Sequence, residues 1–323
     1  ELGISGTVLS LKNTHDAFLK IAKKKNQFKI IEFDTNNFRT KNENLLTINI
    51  LKNIFKVLKY YLRLVLLTIR SDTLLVNTSP HGLAYLSLVV FISFLFRKKC
   101  VLRIFGGRDP FDVQIYLKPS IFLSFFTATS IGIQSKSITN KYKKLFSEQK
   151  VFWLPTARKE PDIKFITKRK KIINNFKGSF FYLGHLREDK GINYLIKAFK
   201  DKRLSKYQLH LYGPLWGQLG NNKLFNLDTI KIIPNIKYNG IVQPDKVFEI
   251  ISNHDALIFP TISPAEGYPG VVIESLLVGT PVLSSRWLHL PEILNETNSL
   301  FFRPYSSNSI INTVEKYAQD LNL

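Results

Sequence analysis

The stretch Glu266-Gly-Tyr-Pro-Gly-Val-Val-Ile-Glu274 lies between a short apolar run and the sequence Gly279-Thr-Pro281. The apolar run, Ala256-Leu-Ile-Phe-Pro260, predicts a buried strand that ends at the proline. The glycine and proline after the stretch predict the end of a helix. Pro269 is placed near the first helical position, where its missing N–H costs nothing. The region therefore predicts a strand, a loop and a helix, in the order typical of an α/β fold.

The predicted helix start is suited to an anion. Backbone N–H groups around Gly267–Val271 have no partner within the helix, and the positive end of the helix dipole lies behind them, which suits a diphosphate. Glu266 belongs to the loop and Glu274 to the helix. Because a carboxylate repels phosphate, both are better explained as acceptors for neutral hydroxyls beside the phosphates, as in a nucleotide-sugar. The alternative is that both carboxylates only solvate a helix start, as acidic residues there usually do.

A second element lies upstream, where a predicted strand (Phe180-Phe-Tyr-Leu183) is followed by Gly184-His-Leu-Arg-Glu-Asp-Lys190-Gly191 and a predicted helix. Together the two elements resemble the retaining glycosyltransferases of family 4, which carry E-G-x-P/G-x-x-x-x-E and a G-R-L-x-x-x-K-G loop. The resemblance is specific over roughly residues 178–305 and topological before them. Weaker similarities in the same order are Leu209-His-Leu-Tyr-Gly213-Pro, Ile236-Lys-Tyr-Asn-Gly240-Ile-Val and Arg286-Trp-Leu-His-Leu-Pro291-Glu-Ile.

Predicted strands and helices alternate along the chain, which favours doubly wound parallel sheets. The predicted strands lie at 28–33, 73–77, 100–105 and 129–134 in the first half, and near 180–183, 208–212, 236–238, 256–259 and 282–284 in the second. The resemblance implies the GT-B architecture, an α/β fold of two Rossmann-like domains facing across a cleft. We expect an acceptor-side domain over residues 1–157, with its first strand missing from the sequence. A polar, lysine-rich linker over 158–177 and a nucleotide-sugar-binding domain over 178–323 complete the expected organisation.

Residue roles also come from the resemblance. It implies that Lys190 and Glu266 are catalytic, that Glu266 binds sugar hydroxyls, and that Glu274 binds the ribose. Gly240 and Val242 are expected near the base. The donor-binding set it implies is Gly184, His185, Arg187, Lys190, Gly191, Gly213, Gly240, Val242, Glu266, Gly267, Tyr268, Pro269, Gly270, Val271 and Glu274. In the first domain it implies a loop for acceptor and diphosphate at Gly3, Ser5 and Gly6, with Arg103 and Arg108 as further candidates.

The chain departs from the family pattern at two positions. His185 stands where the family usually has an arginine that grips the diphosphate, so Arg187 either supplies that charge or points into solvent. Leu102-Arg-Ile-Phe105 stands where the family often has V-T-x-H-G, whose histidine contacts the donor sugar. That role passes to Arg103, Arg108 or Asp109, or it is lost. His81 is another candidate, although a lone histidine at a helix start is more often a cap or a surface residue.

Breaking the bond between sugar and diphosphate develops negative charge on the leaving oxygens, which fixed positive groups stabilise. The chain contains no D-x-D triplet, so the sequence does not imply a divalent metal. Lys190 and the helix amides near Gly270 are the expected stabilising groups. No cofactor is expected besides the donor substrate, a UDP- or GDP-sugar. Retention of anomeric configuration follows from the resemblance alone.

Lys and Arg number 46 against 24 Asp and Glu, giving a net charge of +22, which draws a protein to anionic surfaces. We expect no nucleic-acid partner, because the basic residues are spread through the chain and no nucleic-acid-binding motif is present. The segment 51–70 predicts a basic amphipathic helix suited to an anionic membrane. The alternative is an ordinary helix packed on its own domain's sheet.

The apolar stretch 82–96 is too short to span a bilayer, which requires about 20 apolar residues, so it predicts a crossover helix. The chain begins without a signal-peptide pattern, and its single cysteine, Cys100, fits a reducing compartment. We therefore expect a cytoplasmic glycosyltransferase, bound peripherally at the inner membrane face, acting on a lipid-linked or polysaccharide acceptor. The alternatives are a non-catalytic protein of the same fold that binds a nucleotide-sugar or a partner enzyme, and a basic nucleic-acid-binding protein.

Overall fold

The computed structural model describes residues 14–17, 19–21, 48–173, 176–215, 230 and 232–320. The chain divides into two compact units. The N-terminal unit comprises Thr14–Phe105 and Asp109–Leu154, and the C-terminal unit comprises Pro155–Leu323 with Gly106–Arg108. The predicted strand 28–33 and the loop containing Gly3, Ser5 and Gly6 lie outside the described residues.

The N-terminal unit contains a parallel sheet whose described strands lie side by side in chain order. These strands are β1 (Thr73–Thr78), β2 (Lys99–Ile104), β3 (Ser130–Ile133) and β4 (Val151–Trp153). The accompanying helices are α1 (Ile48–Arg70), α2 (Pro80–Leu95), α3 (Lys118–Thr127) and α4 (Lys136–Phe146). All strand pairs are parallel, so each connection crosses over the sheet.

Helix α2 is the predicted crossover between β1 and β2, and this prediction is confirmed. It begins because Ser79 accepts a hydrogen bond from the Gly82 N–H at 3.3 Å and Pro80 occupies the first turn. Its 16 residues contribute Leu83 and Val90 to the core of this unit. Among the described helices, none is both long and apolar enough to cross a membrane.

The C-terminal unit contains a parallel sheet in the order β10-β9-β8-β5-β6-β7. Its strands are β5 (Ser179–Leu183), β6 (Gln208–Tyr212), β7 (Ile236–Tyr238), β8 (Ala256–Phe259), β9 (Val282–Ser285) and β10 (Ser299–Phe302). Its helices are α5 (Ile163–Ile173), α6 (Ile192–Phe199), α7 (Val247–Asn253), α8 (Gly270–Val278) and α9 (Ser307–Asp320). The sequence predicted β5 to β9, whereas β10 was not predicted.

This strand order places a reversal at the centre of the sheet. Strand β5 pairs with β6 on one side and with β8 on the other. The chain adds β6 and β7 on one side of β5, and then adds β8, β9 and β10 on the other side. Every residue of β8 is buried, as expected of a central parallel strand covered on both faces. In open α/β sheets, ligands bind at the carboxyl ends of the strands where the order reverses. The loops that follow β5 and β8 are therefore where a site is expected.

The stretch predicted as the linker, residues 158–177, contains helix α5 and falls within the C-terminal unit. Arg169 of this helix is buried and donates to the carbonyl oxygens of His254 at 2.8 Å and Asp255 at 2.7 Å. Phe165 packs against Phe248, with ring centroids 6.3 Å apart. The described part of this stretch thus belongs to the unit that carries the predicted site.

Candidate active site

Two loops of the C-terminal unit meet at the reversal point. The first follows β5 and contains Gly184 to Gly191, and the second follows β8 and leads to helix α8. The Ile262 N–H donates to the Asp189 carbonyl oxygen at 3.0 Å, which ties the loops together. Gly191 has a φ of +71°, and a β-carbon there would overlap the carbonyl of Pro260. The close approach of the loops therefore requires glycine at this position.

Lys190 and Glu266 form an ion pair between these loops. The Lys190 ammonium lies 2.5 Å from Glu266 Oε2, and the Thr261 hydroxyl donates to the same oxygen at 2.8 Å. Glu266 is buried, whereas Lys190 is partly exposed. The structure thus brings together the two residues predicted to be catalytic. Thr261 was not singled out from the sequence, although its place directly after β8 and Pro260 puts it at the carboxyl edge of the sheet.

Within the Gly184–Gly191 loop, Arg187 and Asp189 pair with each other. Arg187 is bound by Asp189 through two contacts, Nε to Oδ1 at 2.5 Å and Nη2 to Oδ2 at 2.6 Å. Burial lowers the pKa of His185 below its usual value, and the neighbouring Arg187 and Lys190 cations lower it further. His185 is therefore neutral near pH 7 and does not replace the charge of the family's arginine. Arg187, which the sequence offers as the alternative cation, is ion-paired with Asp189.

Helix α8 begins at Gly270, with Pro269 as its N-cap. Glu274, one turn into the helix, is buried and forms an ion pair with Arg158, whose Nε lies 2.9 Å from Glu274 Oε1. A β-carbon at Gly270 would overlap the guanidinium of Arg158, so this arginine lies against the first residue of the helix. Burial raises the pKa of Glu274, and Arg158 opposes that shift. Sequence reasoning placed Arg158 in a linker and missed this contact, for which no local pattern gives a signal.

The other predicted donor-binding residues line the same edge of the sheet. The Gly213 N–H donates to the Gly240 carbonyl at 2.7 Å, both glycines have positive φ, and Gly213 also lies against the carbonyl of Gly184. Val242 is half-buried just beyond. Tyr268 is buried, and its hydroxyl donates to Glu292 Oε2 at 2.6 Å. That contact anchors the segment containing Gly267, Tyr268, Pro269, Gly270 and Val271.

Arg103 and Asp109 have partners within the N-terminal unit, whereas Arg108 is grouped with the C-terminal unit. Arg103 of β2 is buried, donates to the Thr14 hydroxyl at 2.7 Å, and stacks over the Phe105 ring with 4.7 Å between the guanidinium carbon and the centroid. Asp109 accepts from Lys141 at 2.6 Å and from the Tyr142 hydroxyl. Arg108 is half-buried. Gly3, Ser5 and Gly6 lie outside the described residues.

Across the residues that the structure describes, no three His, Cys, Asp or Glu side chains cluster as a metal site would require. The charged groups brought together at the reversal point are thus Lys190 with Glu266, Arg187 with Asp189, and Arg158 with Glu274. Such an arrangement can accept hydrogen bonds from hydroxyls through the glutamates and offer cations to an anion.

Comparison with known proteins supports a class for this chain. Residues 164–323, slightly less than half of it, match the family model described as "Glycosyl transferases group 1". No curated protein is a significant sequence match. The matched residues lie in the C-terminal unit, which carries the candidate site.

Three solved structures illustrate the likeness. HepE of Anabaena, solved in complex with UDP, has a TM-score of 0.65 at 15% identity, covering 81% of this chain and 73% of HepE. Sucrose-phosphate synthase of Thermosynechococcus elongatus has a TM-score of 0.60 at 14% identity, covering 88% and 73%. A glycosyltransferase of Rickettsia africae ESF-5 has a TM-score of 0.59 at 14% identity, covering 98% and 85%. This likeness confirms the predicted fold class, GT-B with two Rossmann-like parallel-sheet domains.

Proposed function

We propose that this protein transfers a sugar from a nucleotide-sugar donor, a UDP- or GDP-sugar, to a lipid-linked or polysaccharide acceptor. In this proposal the protein lies at the cytoplasmic face of the membrane, retains the anomeric configuration and uses no divalent metal. Retention rests on the resemblance of the two sequence motifs to retaining enzymes. HepE, which shares the fold, has been solved with UDP and with UDP-glucose, which makes a uridine donor the first to test.

The observation that carries the proposal is the Lys190–Glu266 ion pair at the point where the strand order reverses. A nucleoside diphosphate placed against the start of α8 would meet helix amides and the Lys190 ammonium, both suited to the charge that develops on the leaving group. Glu266 would accept hydrogen bonds from sugar hydroxyls. Glu274, one turn along the same helix, would accept them from the ribose.

Calorimetric titration with UDP and UDP-glucose tests this assignment. We expect Glu266→Gln to leave the affinity for UDP unchanged and to weaken UDP-glucose binding by about tenfold or more, since a hydrogen bond to a charged acceptor contributes ~1.5–3 kcal/mol. Glu249→Gln is the matched control, because it removes an exposed carboxylate of the same unit that pairs with Lys246 and lies outside the two loops of the site. That variant should keep both affinities.

Three outcomes of the titration would contradict part or all of the proposed function. Equal weakening of UDP and UDP-glucose by Glu266→Gln would contradict the sugar assignment. Tight binding of UDP-glucose without hydrolysis or transfer would favour the non-catalytic alternative, which is motivated by the uncharged His185 in the motif. No binding of any UDP-, GDP-, ADP- or dTDP-sugar would overturn the proposed function altogether.

The membrane part of the proposal rests on helix α1. Its exposed side chains include Phe55, Leu58, Leu62 and Leu66, with exposed fractions between 45% and 69%. These four recur at helical spacing and form one apolar stripe. Lys59 and Arg63 are also exposed on this helix. An exposed apolar stripe beside basic residues is suited to the headgroup region of an anionic bilayer.

Sedimentation with phosphatidylcholine vesicles, with or without phosphatidylglycerol, tests this contact. We expect binding only to the anionic vesicles and release by salt, since each Lys or Arg near the surface contributes about 1 kcal/mol. Phe55→Ser combined with Leu62→Ser should lower the bound fraction about tenfold or more, because burying one large apolar side chain contributes roughly 1.5–3 kcal/mol.

The matched control for the vesicle experiment is Ile163→Ser combined with Ile232→Ser. These two side chains are comparably exposed but belong to the C-terminal unit. We expect this pair to leave binding intact. Equal recovery with both kinds of vesicle, or no recovery with either, would identify α1 as an ordinary helix of its domain.

A further inference from the structure

Arg158 occupies an electrostatically unfavourable position. Its side chain is 3% exposed and lies against Gly270 at the first residue of α8, where the helix dipole disfavours a cation. Burial lowers the pKa of Arg158, although Glu274 partly offsets that effect. Glu274 balances the charge of this guanidinium from within the helix, and the cation adds to the positive end of the helix dipole, which suits an anion bound there.

The Gly184–Gly191 loop needs such a cation. His185 is uncharged near pH 7 and Arg187 is held by both oxygens of Asp189. Lys190, the remaining basic side chain of this loop, pairs with the Glu266 carboxylate. A diphosphate carries more negative charge than one ammonium balances, so a second cation at the start of α8 would complete the site.

We propose that Arg158 binds the diphosphate of the donor and replaces the cation that the motif lacks at His185. This inference rests on the proposed function. Glu274 engages the guanidinium through Nε, and Nη1 donates to the Ala157 carbonyl at 3.1 Å. Nη2 is the atom that a β-carbon on Gly270 would approach most closely, so Nη2 lies at the amide end of the helix. A guanidinium matches phosphate oxygens in a bidentate geometry. Gly270 is then required because a side chain there would displace the guanidinium.

The experiment compares the affinities of UDP and uridine, which differ only in the diphosphate. Arg158→Gln should lower the affinity for UDP by about 10- to 100-fold, as expected for the loss of charge-assisted hydrogen bonds. The affinity for uridine should be nearly unchanged. Arg158→Lys should retain part of the UDP affinity. Arg169→Gln is the matched control, because Arg169 is equally buried in the same segment but bonds to the carbonyls of His254 and Asp255.

Gly270→Ala gives a second route that keeps Arg158 in the chain. Alanine favours the helix, and the overlapping atoms belong to the end of a flexible side chain, so we expect this variant to fold. Gly270→Ala should lower the affinity for UDP as Arg158→Gln does. In the double variant the two losses of binding free energy should not add. Thermal unfolding of each variant confirms that it is folded.

Several results would overturn the inference. If Arg158→Gln weakens UDP and uridine equally, Arg158 only positions Glu274. If it changes neither, or if Arg169→Gln shifts the ratio of the two affinities as much, or if the Gly270→Ala effect adds in full, the diphosphate is bound elsewhere. Each of these leaves the proposed function standing. Failure of the wild-type protein to bind UDP or any other nucleoside diphosphate overturns both.

Discussion

Replacing Lys190 by alanine is expected to slow sugar transfer by about 10²–10³-fold, the usual effect of removing one electrostatic group that stabilises a developing anion. Lys190 lies at the reversal point of the sheet, between the loops after β5 and β8, and is partly exposed there. Because His185 is uncharged in this chain, the protein should depend on Lys190 more than a relative with arginine at that position. Steady-state turnover with the donor identified by calorimetry measures the effect.

The variants around Lys190 separate charge from structure. Lys190→Arg should keep part of the activity because it keeps the charge. Lys197→Ala, an exposed lysine on the next helix, should keep all of it. Thermal unfolding distinguishes loss of catalysis from loss of fold, since removing Lys190 leaves the buried Glu266 carboxylate without its cation.

A chelator tests the metal-independent part of the account. We expect turnover to persist in excess EDTA, since Lys190 and the amides of α8 are the groups proposed to stabilise the leaving diphosphate. Activity that is lost to the chelator and restored by Mg²⁺ or Mn²⁺ would assign that role to a metal instead.

The sequence predicts the C-terminal sheet well where patterns are local. The apolar run 256–260 forms β8 with Ala256–Phe259, and Gly279 ends α8 in the left-handed conformation as its position predicts. Each of these features depends on neighbouring residues, so periodicity and turn chemistry suffice to identify it. The Lys190 loop and the Glu266–Glu274 segment accordingly follow β5 and β8, as the sequence predicts.

Contacts between distant segments could not be predicted in the same way. The pairing of Arg158 with Glu274 joins a stretch that composition marks as a linker to helix α8, more than 100 residues further along the chain. The ion pair of Arg187 with Asp189 is local. The sequence could not predict it, because a basic loop side chain near an acidic residue is equally compatible with exposure to solvent. Strand β10, with Ser299 at its start and Asn298 before it, was missed because it is short and only partly buried.

Substituting Gly191 by alanine is expected to destabilise the C-terminal unit by about 2–5 kcal/mol, the sum of left-handed backbone strain and forced displacement of a packed neighbour. Its φ and ψ are +71° and +15°, and a β-carbon would overlap the backbone carbonyl of Pro260. Because that neighbour is backbone, it cannot rotate away. The loop after β5 would have to separate from the loop after β8, so donor binding should also fail.

Gly279 supplies the matched control for this effect. It has nearly the same conformation, with φ +82° and ψ +23°, but a β-carbon there would meet no atom within 4 Å. Gly279→Ala should therefore cost only the strain, about 1–2 kcal/mol. Both glycines belong to the C-terminal unit, so urea unfolding reports on the same transition for both variants. The excess loss at Gly191 measures the close approach of the two loops, and equal losses at the two positions would show that the loops can separate without cost.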